Sequence, residues 1–543
     1  MRCRQERKGV SVHAISGTWV VILGFNATEG ARQNLLGFAL HRTDHTEDEA
    51  YWLKGFKTFE QTEPDPPPGS LFSTLEHPLQ TFQWGDYTAK PDHEYTYKVV
   101  PLYGKPKNIK MGDAVEVKVS TESEDTGTHA IFFNRGVAAS QAYVSKFQNR
   151  NPEDVPDRKA FKWLSRGLEE ALLRFIGQAN GEEYGLRAAV YEFNYLPALE
   201  AFKQASESGA DVKIVYDARK DNPREASEKA IACAGIQDLV IPRKATRSYI
   251  SHNKFIVLLK NGQPQEVWTG STNLTRGGIF GQSNVGHIIR DPKVAESYLR
   301  YWKNLANDLE AKDLRKWTEQ ETADPDGPPS PDSIMTIFSP RKSLKALEWY
   351  AEQMDDATQM VNLTAAFGVN KKLAEVLSQD KDYLRFLLLE KLGKNYDVYA
   401  KDRDVQVSIG SKIEDDALRR WTREVLTNFN FHVRYIHTKY MLIDALTDNP
   451  TVITGSANFS DASTRKNDEN MVVIQDDTRV ADIYLGEFMR LFHHFYFRYI
   501  ANKMKAQPGS EERKVAYLVE NDSWTDKYYW DYSIKKKKRL LFA

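Results

Sequence analysis

The chain has 543 residues, 41% hydrophobic and 27% charged, a mixture that excludes global disorder and a fibrous repeat. Its 74 Lys and Arg stand against 75 Asp and Glu, a formal net charge of -1, which excludes a uniformly basic nucleic-acid coat but leaves room for a local basic face. Two cysteines exclude a disulfide framework and a Cys-rich zinc site; Cys3 reads as an exposed terminal thiol and Cys233 as a small core residue.

Residues 1–122 carry short alternating runs rich in Trp, Tyr, Thr and Val (TWVVILGF, NLLGFALHR, AYWLKGF, YTYKVVPLY, AVEVKVS) separated by turn clusters such as EPDPPPG. That grammar predicts an all-β sandwich. The apolar run Trp19 to Leu23 is too short for a secretory signal, and no stretch reaches the ~18 apolar residues of a membrane span. The expectation is a cytoplasmic chain without an integral membrane segment. Pro91 to Val99 (PDHEYTYKV) resembles a late strand of fibronectin type III modules. The resemblance implies that Tyr95 hydrogen-bonds back to the backbone and that the module is a scaffold or a binding arm for a protein partner.

After STESEDTGTH the pattern changes. SRGLEEALLRFIGQA and LPALEAFKQASESGA have helical spacing, while DVKIVYDA and HNKFIVLL have strand length, so α/β architecture follows. A breaker, ADPDGPPSPDS, splits this part, giving one lobe over 128–322, a second over 334–500, and a C-terminal extension over 501–543. The two lobes read as copies. Each has a strand–helix–strand, then a strand with His-x-Lys, a turn, and a strand ending in Gly-Ser-x-Asn. The fold class is therefore multidomain: a β-sandwich plus two pseudo-symmetric α/β lobes with mixed sheets.

Residues two apart on a strand face the same way, so His252 projects with Lys254 and His437 with Lys439. Lobes related by a pseudo-two-fold would bring these together with Asn273 and Asn458. Two imidazoles, two ammonium groups and two carboxamides suit a phosphodiester: lysine and amide bind its oxygens and imidazole moves protons.

This pattern resembles the phospholipase D superfamily, marked by a duplicated His-x-Lys-(x)4-Asp followed by Gly-Ser-x-Asn. The second copy matches through His437, Lys439, Asp444, Gly455, Ser456 and Asn458; the first has His252, Lys254, Gly270, Ser271 and Asn273, but Leu259 replaces the aspartate. The resemblance implies a metal-independent, cofactor-free hydrolase in which His252 attacks phosphorus and His437 is general acid and base. Lys254, Lys439, Asn273 and Asn458 would bind phosphate, with Ser271, Ser456, Asp444 and Glu469 in support. The family often places an acidic residue about a dozen positions after the Asn to orient a histidine. Here Asn284 and Asn470 stand at or beside that place, with Glu469 next to Asn470, so the two halves are expected to differ.

Arg243, Lys244 and Arg247 precede the first motif and offer a basic rim; Asp217 and Arg219 close the preceding strand, and Glu192 reads as a solvated carboxylate. The basic run Lys535 to Arg539 follows Trp524, Tyr528, Tyr529 and Trp530, aromatic side chains that read as docking the tail. The favoured substrate is DNA or RNA. The alternatives are a phospholipid headgroup bond and, because of Leu259, a catalytically degenerate nucleic-acid-binding scaffold.

Overall fold

The computed structural model describes the chain except for residues 65, 68–69, 137–140, 149, 220, 246–248, 411–434 and 506–516. The described residues gather into two compact units, Met1–Ser123 with Arg479–Ala543, and Glu124–Gly410 with the segment ending at Thr478.

The first unit is a β-sandwich. One sheet orders Arg2–Arg7, Val10–Ser16, Val21–Ala27 and Gln83–Asp86; the other orders Asn108–Met111, Glu94–Lys105, Leu35–Asp44 and Glu49–Trp52, with Val115–Ser120 also on Glu94–Lys105. Val12, Leu23, Phe25, Phe38, Tyr97 and Val117 alternate inward to form the core. The first hairpin was not legible in the sequence. Its edge strand is RCRQER, charged residues that protect an open edge, and its turn is Lys8-Gly9, both with positive φ (47° and 79°). The Lys90 amide donates to Tyr95 Oη at 3.0 Å, the backbone bond expected of that tyrosine.

The helix Thr478–Lys505 groups with this unit from Arg479 onward. Arg2 Nε donates to Asp482 at 3.0 Å, and Tyr87 Oη meets His493 Nδ1 at 2.7 Å. Trp524 fills the sandwich core, stacked on Phe82 at 5.3 Å, and its Nε1 donates to the Leu35 carbonyl at 2.8 Å. Trp524 is therefore part of the core, with Tyr528 and Tyr529 packed against it, whereas Trp530, expected to dock the tail, is exposed.

The second unit holds two seven-stranded sheets with the same order and the same directions. Lobe 1 runs His129–Phe133, Val285–Ile289, Gln263–Gly270, Lys254–Lys260, Tyr184–Val190, Asp211–Asp217, Val240–Arg243. Lobe 2 runs Ile334–Ser339, Glu469–Gln475, Thr451–Gly455, Tyr440–Ile443, Met360–Ala365, Leu384–Leu389, Val405–Ile409. In each, the last three strands are parallel and the rest antiparallel. Helices bury one stripe on each sheet, Leu168, Leu172, Phe175 and Ile176 in lobe 1 and Leu347, Trp349, Tyr350 and Met354 in lobe 2. Asp291 caps the helix Pro292–Ala306 by accepting from the Lys293 and Val294 amides. Cys233 is exposed on the helix Asp221–Ala234 and Cys3 is half-buried, correcting both expectations: Cys233 sits on the polar side of an amphipathic helix, and Cys3 lies in the edge strand.

Asp444 belongs to this framework. Its carboxylate accepts from the amides of Thr358 (2.8 Å), Gln359 (2.7 Å) and Met360 (3.0 Å) and from Thr358 Oγ1 (2.8 Å), fixing the start of the strand Met360–Ala365. In lobe 1 the same position is Leu259, buried opposite Gly185 in the paired strand. Asp444→Ala leaves three backbone donors without their acceptor and is expected to cost about 3 kcal/mol in urea denaturation, with turnover per folded molecule unchanged.

Candidate active site

The two His-x-Lys segments meet through parallel bridges between the lobes. Ser251 pairs with Asp468 and Ser283 with Ile436. The His252 amide donates to the Asp468 carbonyl (2.9 Å), and the Ser283 amide donates to the Tyr435 carbonyl (2.7 Å). Each histidine therefore lies beside the strand start that follows the other lobe's Gly-Ser-x-Asn.

The consequence is a crossed arrangement. His252 Nδ1 faces Glu469 Oε2 of lobe 2 at 2.8 Å, and His437 Nδ1 faces Asn284 Oδ1 of lobe 1 at 2.8 Å. Glu469 and Asn284 are counterparts, each thirteen residues after the serine that holds it. Ser456 Oγ donates to Glu469 Oε2 (3.0 Å) and Ser271 Oγ to Asn284 Oδ1 (2.8 Å). Ser463 Oγ and Asn467 Nδ2 donate to Glu469 Oε1, so the buried carboxylate is satisfied on both oxygens. Asn284 Nδ2 donates to the Gly278 carbonyl at 2.8 Å, which aims its Oδ1 at His437. Both rings are thereby held with the proton on Nδ1 and the Nε2 lone pair available.

The glycines make this contact possible. A Cβ on Gly270 would lie 2.3 Å from the Val285 carbonyl oxygen, and one on Gly455 2.3 Å from that of Asn470. Close approach lets Ser271 and Ser456 also accept from the Val285 and Asn470 amides. The two serines are clamps for the orienting residues.

Lys254 and Lys439 are buried and donate to the carbonyls of His252 and His437, each at 2.6 Å. Burial pulls the Lys254 ammonium down to about 8, opposed by Glu469, Glu192 and Asp217. Lys439 is pulled well below its usual range by burial and by Lys254. Burial also lowers His252 to about 4 against the pull of Glu469, and lowers His437 well below its usual value, helped by Lys439, Lys254 and His252. The four groups share one electrostatic field, in which each disfavours the charge on its neighbours.

Asn273 Nδ2 donates to Glu192 at 2.5 Å, and the Tyr191 ring lies 4.9 Å from that of His252 and 5.3 Å from Lys254 Nζ. Glu192, read from the sequence as a solvated carboxylate at a strand end, is instead tied to Asn273, and Tyr191 beside it carried no motif; the signal for both is position, directly after the strand that pairs Val190 with Lys254. The strand register places Ala366 and Phe367 at the corresponding points in lobe 2, and Phe367 is 55% exposed. Asn458 has no carboxylate partner there, and its buried Oδ1 is unbonded among the described residues.

Arg243 is not part of a substrate rim. It is fully buried, with Nε on Asp468 (3.1 Å) and Nη1 on Asp308 (2.8 Å). Arg219 likewise bridges Asp217 (2.8 Å) and Asp468 (3.1 Å), so these charges tie lobe 1 to lobe 2. Lys244 is exposed, and Arg247 lies outside the described residues. Asn470 is structural, accepting from Thr269 and Tyr298 and donating to Asn253. Among the described residues one group has metal-ligating atoms close together, Asp44, Glu47 and His93 in the sandwich unit, and Lys90 already pairs with Glu47.

Residues 172–306 and 371–492 match the family model described as cardiolipin synthase, PLD-like domain. Both lobes therefore carry a PLD-like domain of the phospholipase D superfamily. No curated protein matches it in sequence. Among solved structures, a polyphosphate kinase from Porphyromonas gingivalis is 12% identical, with 59% of this chain and 48% of that one covered at a TM-score of 0.40; this chain thus spans about half of that protein. A phosphatidylserine synthase from Haemophilus influenzae is 12% identical over 65% of this chain and 94% of its own, at 0.42. The phospholipase D family member Nuc from Salmonella typhimurium is 29% identical over 26% of this chain and 87% of its own, at 0.22. No helix among the described residues is long and apolar enough to cross a membrane.

Proposed function

We propose that the chain hydrolyses phosphodiester bonds through a phosphohistidine and that its substrate is DNA or RNA. The observation that carries the chemistry is the crossed pair, with His252 on the Glu469 carboxylate and His437 on the Asn284 carboxamide. A ring whose Nε2 bonds to phosphorus becomes cationic, and a carboxylate behind it stabilises that charge. This supports His252 as nucleophile. His437, backed by a neutral amide and crowded by lysines, gives up a proton readily, which suits a general acid.

In the first step His252 Nε2 bonds to phosphorus as the bond to the leaving oxygen breaks, and protonated His437 hands its proton to that oxygen. In the second, His437 takes a proton from water, the water oxygen bonds to phosphorus, and the phosphorus–nitrogen bond breaks. Lys254 and Lys439 hold the non-bridging oxygens.

With an activated diester, whose leaving group needs no proton, kcat/KM is expected to rise as pH climbs through about 4, where His252 becomes neutral, and to fall above about 8, where Lys254 loses its charge.

A phospholipid is the second reading, favoured by the exposure of Phe367 and Leu392 on the loops that follow two parallel strands of lobe 2 and of Val398 in the short helix Tyr396–Tyr399. The test is a panel of plasmid, single-stranded DNA, RNA and phosphatidylcholine vesicles in EDTA, beside the His437→Ala protein. Nicking or shortening of nucleic acid supports the first reading; choline release without it overturns that reading in favour of the second.

A further inference from the structure

We propose that Lys527 and Lys535, which flank the Tyr528 ring on the sandwich unit, and Lys57 on the adjoining loop bind the phosphate backbone of a single-stranded nucleic acid. The proposal rests on the nucleic-acid reading above and adds a second contact for that substrate, outside the pocket.

The cluster is built by the fold. Lys527 lies in the helical turn Asp522–Tyr528 and Lys535 in the helix Ile534–Phe542. Lys57 precedes Thr58, whose carbonyl accepts from the Leu518 amide at 2.8 Å, bringing that loop to the C-terminal segment. Lys535 Nζ lies 5.3 Å and Lys527 Nζ 6.0 Å from the centroid of the same Tyr528 ring. Arg539 fixes this geometry from within. It is buried, donates to the Tyr528 carbonyl at 3.1 Å and stacks over Tyr529 at 3.9 Å. The basic run therefore divides: Arg539 holds the helix in place and Lys535 faces other lysines.

None of Lys57, Lys527 and Lys535 pairs with a carboxylate among the described residues, whereas the neighbouring Lys536 pairs with Asp531 at 2.6 Å. Holding ammonium groups together without counter-charge is unfavourable until an anion arrives. Burial, with Lys527 beside it, brings Lys535 down to about 8, which an arriving phosphate would reverse. Between the two helical segments Trp530 is 65% and Tyr532 81% exposed, flat surfaces beside the lysines on which unpaired bases stack. A membrane fits less well. Asp531 stands between the two rings at 82% exposure, and Lys527 and Lys535 converge on one ring instead of spreading over a plane.

The experiment uses the full chain carrying His437→Ala, so that substrate is not consumed, and a short fluorescein-labelled single-stranded oligonucleotide. Anisotropy is read across a salt series, with and without Lys527→Glu and Lys535→Glu together. Affinity is expected to fall at least about tenfold, and the slope of log Kd against log salt to drop by about 1.4, two lost phosphate contacts. The milder Lys527→Gln with Lys535→Gln should give the same slope change, and turnover of bis(p-nitrophenyl) phosphate by the same variants with His437 intact should be unchanged. Unaltered affinity and slope would overturn the proposal, as would loss of binding to phosphatidylserine vesicles with oligonucleotide binding kept. If the unmutated chain cuts nucleic acid while the lysine variants bind normally, only this site fails; if it neither cuts nor binds nucleic acid, the substrate reading fails with it.

Discussion

His252→Ala is expected to abolish turnover of both activated and ordinary diesters, by about 10^4-fold or more, because no other group can form the bond to phosphorus. His437→Ala should behave differently. On an ordinary diester it loses proton donation, worth about 10^2–10^4-fold. On bis(p-nitrophenyl) phosphate the leaving phenolate departs unaided, so the first displacement survives while water activation is lost. Mixing enzyme and substrate should give a burst of one phenolate per protein, and intact mass spectrometry should show one phosphoryl adduct at His252. A burst from His252→Ala instead would reverse the two roles. Normal turnover by both variants would remove the mechanism.

The second large effect concerns the residues behind the rings. Glu469→Gln keeps a hydrogen-bond acceptor near His252 Nδ1 but removes the charge that balances the phosphoimidazolium. A loss of about 10^3–10^4-fold in kcat with little change in KM is expected, since the carboxylate acts after binding. Asn284→Asp makes the opposite change, placing a carboxylate 2.8 Å from His437 Nδ1. It favours the imidazolium, so the His437 titration, followed by imidazole NMR, should move up in pH. If Glu469→Gln lost no more activity than a distant surface variant, the charge behind His252 would have no part in turnover.

Much of this was legible in the sequence because the chemistry is written twice. His-x-Lys and a later Gly-Ser-x-Asn are local patterns, although the strands themselves begin only at Lys254 and Tyr440, so both histidines and Lys439 lie just before them. The sheets, the duplication and the pairing of each histidine with a nearby lysine followed from that. Which residue orients which histidine did not, because Glu469 and Asn284 act across the seam and their partners are 217 and 153 residues away in sequence. Asn470 stands beside the orienter's place in sequence, but period two turns it to the opposite face from Glu469, toward Asn253 and Tyr298. Arg243 looked like a rim charge because sequence does not show burial. Its guanidinium is consumed by Asp468 and Asp308, two acids far along the chain.

The unequal backing of the two rings has a consequence for products. A pocket whose halves were the same could receive a strand in either sense, and the cut would leave the phosphate on either side of the break. Here only one ring has a negative neighbour to steady a bond to phosphorus. If the substrate is a nucleic-acid strand, as proposed, it must thread in one sense, and every new end should carry its phosphate on the same side of the cut.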